Sequence, residues 1–277
     1  MSASNSESPT SANPENGSGL TAQGAIANLS HPDTSLRYYA AWWLGKFRIR
    51  SSEAVAALIE ALQDEDDRTE LGGYPLRRNA ARALGKIADP QAVPALIESL
   101  GCEDYYVRES AAQALGEIGD RSSISHLQKL LAGGVEAAQQ VPGRPHLTQP
   151  YEAVLEALGK LQATESVSEI EPFINHFVPR IQYAAARAMY QLTHEPTYAQ
   201  YLVDALTGDD VQLRRSALID LGETGYLPAT EAIAEAKVEN SFKLISLKNL
   251  LASEIQESAD FNSPRANQIM DWMDALL

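Results

Sequence analysis

The chain has 277 residues, 37 of them acidic and 22 basic, for a formal net charge of −15. That charge opposes phosphate backbones and excludes nucleic acid as a partner without a local basic stripe; no run of eighteen apolar residues exists, which excludes a membrane-spanning helix. A single cysteine, Cys102, excludes an intramolecular disulfide and fits a reducing, cytoplasmic compartment.

Residues 1–19 (MSASNSESPTSANPENGSG) carry neither the basic and apolar regions of a secretion signal nor the arginines of a transit peptide. Their Ser, Asn, Pro and Gly content predicts a disordered tail. From 20 to 277 the chain reads as one continuous array, because a ten-residue phrase recurs six times. The copies are LRYYAAWWLG (36–45), LRRNAARALG (76–85), VRESAAQALG (107–116), PYEAVLEALG (150–159), IQYAAARAMY (181–190) and LRRSALIDLG (213–222). They end at 45, 85, 116, 159, 190 and 222, so the steps are 40, 31, 43, 31 and 32. A basic step near 31 with two insertions predicts stacked helix pairs: an all-α, HEAT-like helical-repeat solenoid, or α-α superhelix.

Each phrase reads as the second helix of a pair. Positions 1, 5, 6 and 9 are apolar or small and lie along one helical face, and the alanines at 5 and 6 let a neighbour approach closely. The glycine closing five of the six copies is expected to act as a left-handed helix cap. First helices are predicted at 21–29, 53–62, 91–100, 123–131, 167–177, 197–206 and 228–237, with Ser52, Asp89, Ser122 and Ser166 as caps. A further second-type helix is expected at 240–257, and a C-terminal capping helix carrying Trp272 and Met273 at 264–277. The insertions are 63–75, acidic then glycine-rich, and 133–150, with three prolines. Both fall between the helices of a pair, so they share one edge of the array, as binding loops or as tolerated surface loops.

An aspartate stands four residues before the phrase arginine in three copies: Asp33 and Arg37, Asp104 and Arg108, Asp210 and Arg214. This spacing predicts half-buried structural ion pairs between adjacent repeats. Phrase positions 3 and 7 point away from the core and stack four apart on one stripe. Copy by copy they are Tyr38 and Trp42, Arg78 and Arg82, Glu109 and Gln113, Glu152 and Glu156, Tyr183 and Arg187, Arg215 and Ile219. The second helices of such arrays line the concave side, so the stripe begins aromatic, turns basic and then acidic. Aromatic rings beside paired guanidinium groups suit a flat conjugated ligand with carboxylates, or a protein interface.

Nothing in the sequence supplies a self-contained active site. Cys102 has no histidine at a recognisable spacing and reads as a packed residue more readily than as a nucleophile. The histidines form no zinc-binding pattern, so no metal site is expected. Deoxyhypusine hydroxylases, helical-repeat oxygenases that bind iron through several His-Glu dipeptides, are rejected because only His194-Glu195 has that form.

The segment SLRYYAAWWLGKF (35–47), followed by LRRNAARALGKI and VRESAAQALGEIG, resembles the E subunit of E/F-type heterodimeric phycobilin lyases. These are helical-repeat proteins of cyanobacteria and red algae. The likeness spans roughly residues 20 to 257, and its most specific part is RYYAAWWLGKF. The resemblance implies attachment of phycocyanobilin, through a thioether, to a cysteine of the phycocyanin α subunit. It implies an F-type subunit as partner, the bilin as substrate and no separate cofactor. The flat tetrapyrrole with two propionates then fits the stripe. Tyr38, Trp42 and Tyr183 are candidate stacking residues, Arg78, Arg82 and Arg187 candidate propionate partners, and Glu109 the candidate catalytic carboxylate near the pyrrole nitrogens. Two rivals are a non-enzymatic scaffold and a bilin chaperone.

Overall fold

A computed structural model of the protein describes residues 20–277; the tail expected at 1–19 lies outside the described residues. The first three pairs are α1 (Ala22–Asn28) with α2 (Thr34–Lys46), α3 (Ser52–Ala61) with α4 (Pro75–Ile87), and α5 (Val93–Ser99) with α6 (Tyr105–Ile118). Then come α7 (Ile124–Leu130), the one-turn α8 (Gly134–Ala137) inside the second insertion, and α9 (Tyr151–Lys160). The array continues through α10 (Val167–Ile170) and α11 (Pro179–Thr193), α12 (Pro196–Ala205) and α13 (Val211–Gly222), and α14 (Thr230–Glu235) and α15 (Asn240–Ser258). Helix α16 (Pro264–Ala275) packs on the last pair, with Ala266 and Ile269 buried and Trp272 and Met273 half-buried. No strand occurs among the described residues, so the solenoid is all-α.

Several first helices are shorter than their periodicity predicts. Pro90, Pro172 and Pro228 fall where a 3-10 turn replaces α-helix, because proline cannot donate to the helical ladder. The caps also shift. Asp89 caps as expected, but Ser51 caps α3 in place of Ser52, and Asp120 rather than Ser122 caps the turn before α7. Ser166 makes no cap and instead accepts a hydrogen bond from Gln128 Nε2 at 3.0 Å.

The phrase glycines do not end their helices in a left-handed turn. They stand where one phrase helix crosses the next. A Cβ on Gly45 would lie 2.7 Å from the Cα of Ala83. On Gly85, Gly116, Gly159 and Gly222 it would lie 2.8, 2.9, 3.0 and 2.7 Å from the Cα atoms of Ala114, Ala157, Ala188 and Ser246. Real side chains do not tolerate such contacts with backbone, so hydrogen is the only substituent that fits. The left-handed residues come about a turn later, at Arg48, Ala88, Gly119, Gln162, His194 and Gly225. The fifth copy ends in Tyr190, whose ring packs edge-on against Tyr226 at 5.4 Å. There the core divides: Met189 and Leu192 belong to the N-terminal cluster, Tyr183 and Ala186 to the C-terminal one.

The three expected Asp–Arg ion pairs do not form. Asp33, Asp104 and Asp210 instead cap their helices, accepting from the backbone N–H of Ser35, Tyr106 and Gln212 at 2.8, 2.9 and 2.7 Å. Their oxygens satisfy helix N-termini, which would otherwise be orphaned donors. The arginines still tie repeats together, through other acceptors. Arg37 pairs with Asp64 and, at 3.6 Å, with Asp66 of the first insertion. Arg108 donates to the carbonyls of Cys102 and Thr148 at 2.8 and 3.0 Å and to Gln149 Oε1 at 3.1 Å. Arg214 donates to Gly208 and Lys237 carbonyls at 2.6 and 3.1 Å.

Both insertions are clamped onto the array rather than left free. Tyr74 lies between Arg68 and Arg77, Arg68 pairs with Glu103 at 2.5 Å, and Asp104 accepts from the Tyr74 N–H at 2.8 Å. In the second insertion His146 stacks on Tyr105 at 4.2 Å, and the buried His176 donates to the Ala138 carbonyl at 3.1 Å. Both therefore lie beside the start of α6, the first bonded to its cap Asp104 and the second to Arg108.

The glycine contacts make a clear prediction. Gly116→Ala should destabilise the fold by about 1–3 kcal/mol, the range for overpacking a tight site. Denaturant unfolding checks it; a loss below ~0.5 kcal/mol would show that the helices can separate.

Candidate functional site

The phrase stripe is a real surface that closes only at its fifth copy, where Tyr183 and Arg187 are buried. Tyr38 and Trp42 on α2 are 46% and 42% exposed, and Trp42 stacks on Tyr39 with ring centroids 5.4 Å apart. Tyr38 also lines a recess of about 520 Å³ between the start of α2 and the first insertion. On α4, Arg78 and Arg82 are half-buried, and neither pairs with a carboxylate among the described residues. Arg78 lies over the Tyr106 ring at 5.0 Å, and its Nε is buried without an acceptor.

Glu109 on α6 is where the candidate residues converge. Burial raises its pKa above the ordinary carboxylate value, while the charges of Arg78, Arg82 and Arg180 pull it back down. Arg82 shares this neighbourhood: burial and the Arg78 charge lower its pKa, and Glu109 and Tyr38 oppose them. The groove therefore combines a partly desolvated carboxylate, two unpaired guanidinium groups and the rings of Tyr38, Tyr105 and Tyr106. A carboxylate so placed accepts and returns a proton more readily than one in water.

Two expected ligand residues are not available. Tyr183 is only 7% exposed and packs in the C-terminal core, tilted against Tyr201 at 6.2 Å. Arg187 is 3% exposed and meets Glu156, Asp220 and Glu223 at 3.9, 3.3 and 3.2 Å. The array is closed over this part of the stripe, where α9, α11 and α13 are bridged by charge. One guanidinium cannot neutralise three carboxylates. Asp220, buried and also beside Glu156, has its pKa pushed up to about 8 against the pull of Arg187.

Sequence reasoning missed Arg180, which pairs with Glu152 at 2.6 Å, and the ring wall of Tyr105, Tyr106 and His146. Tyr105-Tyr106 precedes the third phrase and was visible as an aromatic pair. His146 reaches the wall only because the insertion folds back, and no local pattern signals that.

The fold defines a HEAT-like helical-repeat protein. Models of HEAT repeats match residues 74–139 and 150–221, and that of the PBS lyase HEAT-like repeat matches residues 36–64. The phycocyanobilin lyase subunit alpha of Nostoc sp. (strain PCC 7120) is 62% identical over 267 residues, 95% of this chain and 96% of that protein. The bilin biosynthesis protein PecE of Mastigocladus laminosus is 48% identical, covering 84% of this chain and 81% of that protein. A solved structure, the complex of CpcE and CpcF of phycocyanin lyase from Nostoc sp. PCC7120, contains a chain 60% identical to this one. It superposes with a TM-score of 0.87 over 98% of this chain and 100% of that one. The chain belongs to the phycocyanobilin lyase alpha-subunit family.

The Arg187 cluster predicts a pH effect. Asp220 keeps its proton in the folded state to a higher pH than in the unfolded chain. Folding stability therefore falls as pH rises from the ordinary carboxylate range to about 8. Asp220→Asn should flatten that decline. Denaturation midpoints at pH 5.5 and 8.5 check it, and an equal decline in both proteins would refute the assignment.

Proposed function

We infer that this chain is the alpha, or E-type, subunit of a heterodimeric lyase. With an F-type partner it attaches phycocyanobilin through a thioether to a cysteine of the phycocyanin α subunit, in the biogenesis of phycobilisomes. The observation that carries this reading is near-full-length identity to phycocyanobilin lyase alpha subunits, together with the superposition on the lyase complex. The groove supplies a physical rationale. Its cytosolic location is proposed because no helix of the described residues is long and apolar enough to cross a membrane and the lone cysteine suits a reducing compartment.

The reaction is an addition. The acceptor's thiol sulfur bonds to a carbon of the bilin's ethylidene group, and its proton ends on the tetrapyrrole; nothing is oxidised or reduced overall. The lyase needs neither a nucleophile nor a cofactor of its own. Its task is to hold the bilin in one conformation and to favour the protonated, electrophilic form. Tyr38 and Trp42 offer ring faces on which a flat π-system stacks. Arg82, with Arg78, offers a guanidinium fork to a propionate. Glu109, among the same groups, stabilises the cationic tetrapyrrole and exchanges its proton.

Co-expression of the chain with an F-type partner, a bilin source and the acceptor should yield a coloured acceptor that survives denaturing electrophoresis. Omitting this chain should abolish it, whereas a passive scaffold would give no colour in either case. Glu109→Gln should slow transfer on the order of 10²-fold, the lower end for loss of a proton-transfer group. Arg82→Ala and Trp42→Ala should each slow it about tenfold or more. Unchanged transfer with unchanged circular dichroism would remove those residues from the site.

A further inference from the structure

The stripe does not stop at phrase position 7. One helical turn on, position 11 of the six copies is Lys46, Lys86, Glu117, Lys160, Gln191 and Glu223. In α4 the residues 78, 82 and 86 thus form a single row, with about 6 Å of helix rise between Arg82 and Lys86. Lys86 is thus the next residue below Arg82 on the same face of α4.

The lower rung opens into a cavity of about 810 Å³ that gathers the C-terminal ends of the phrase helices. Its lining runs from Arg48 and Arg50, after α2, through Lys86, Glu117 and Lys160 to Ser253 and Gln256 on α15. The first and last repeats therefore curl toward each other on this edge. The charge of the lining is opposite to that of the chain. Arg48, Arg50, Lys86 and Lys160 face a single carboxylate, Glu117, in a protein whose net charge is −15. None of the four cations forms an ion pair within 4 Å among the described residues. Burial raises the Glu117 pKa, and Glu223 on the same rung adds to this, while Lys160, Lys86 and Arg48 together pull it down, so three cations converge on one carboxylate.

The backbone marks the same place. Arg48, Gln162 and His194 line the cavity in the left-handed conformation, with φ of 49°, 53° and 57°, where glycine would sit without strain. The equivalent positions after α6 and α13 are Gly119 and Gly225, and neither lines the cavity. Ala88, the equivalent position after α4, also lines it at φ 57°, so left-handed non-glycine residues gather at this cavity whether or not their side chains are polar.

We propose that Arg48, Lys86 and Lys160 form the carboxylate-binding end of the bilin site. The tetrapyrrole lies along the groove with its rings against Tyr38 and Tyr106, one propionate on Arg82 and the other on the lysine rung below. This inference rests on the lyase reading. It adds the feature that would orient the ligand: a bilin has its two propionates on one edge, and Arg82 with Lys86 one turn below it fixes which way that edge points.

The test uses the reconstituted complex of this chain, an F-type partner and the acceptor, with phycocyanobilin and its dimethyl ester compared. Lys86→Gln/Lys160→Gln should raise KM for the free acid tenfold or more while changing KM for the ester less than twofold. For the unaltered complex, esterification should itself raise KM by a similar factor, because it removes the same contact. Arg48→Gly should raise KM for the free acid while raising Tm, since it relieves the left-handed strain; this separates binding from folding. Restoring charge with Lys86→Arg/Lys160→Arg should restore KM. Unchanged KM for the free acid in the glutamine variant overturns the proposal and leaves the lyase reading standing. A raised KM for the acceptor protein in place of the bilin also overturns it, because the cavity would then dock acidic protein surface. Absence of transfer by the unaltered complex overturns the lyase reading, and this inference with it.

Discussion

The array rests on one kind of contact, made by five of the six phrase helices: a glycine against the backbone of an alanine, or once a serine, on the next. A Cβ at any of these glycines would come within about 3 Å of a Cα atom. The hydrogen that replaces it lets the helices cross at close range and in one register. Register carries the rest. With it fixed, phrase positions 3, 7 and 11 of successive helices align into rungs, and residues distant in sequence share one surface. Arg78, Arg82, Glu109 and Arg180 become neighbours because the crossings beneath them permit only one spacing.

The fifth phrase breaks this rule, and the consequences are local and structural. Tyr190 occupies the glycine position, and the apolar core divides at that junction. Across the same junction Arg187, on α11, meets one carboxylate on α9 and two at the end of α13. A buried ion cluster is a poor source of net stability, because desolvation offsets most of the attraction. It does tie α9, α11 and α13 to one arrangement. The residue that sequence reasoning offers as a ligand arginine is thereby consumed as a fastener.

In the proposed function a solenoid contributes to a covalent reaction without supplying the nucleophile. The acceptor brings the thiol, and the repeat surface brings orientation and charge. A partly desolvated carboxylate flanked by unpaired guanidinium groups costs stability in the free protein. Clamped by Arg68, Tyr74, Arg108 and His146, the insertions wall the groove with Tyr105 and Tyr106 instead of hanging free.

Much of this was legible in the sequence, and the boundary is physical. Periodicity at 3.6 and near 31 determined the helix pairs, the array, the facing positions and the two insertions, because these follow from local spacing alone. The phrase RYYAAWWLGKF carried the family. Local spacing also placed Arg78, Arg82 and Glu109 on one stripe. It could not say that Asp33, Asp104 and Asp210 cap helices, because a capping aspartate and a salt-bridging one look alike until their oxygens are assigned. Nor could it say that the phrase glycines serve crossing rather than capping, that Tyr183 and Arg187 are buried, or that Arg48, Lys86 and Lys160 surround one cavity. Those outcomes depend on how far the array curls, and curl is the sum of many small crossing angles set by side chains from different repeats. The sequence by itself determined which residues share a helix face; only the tertiary structure decided which of those faces stay open.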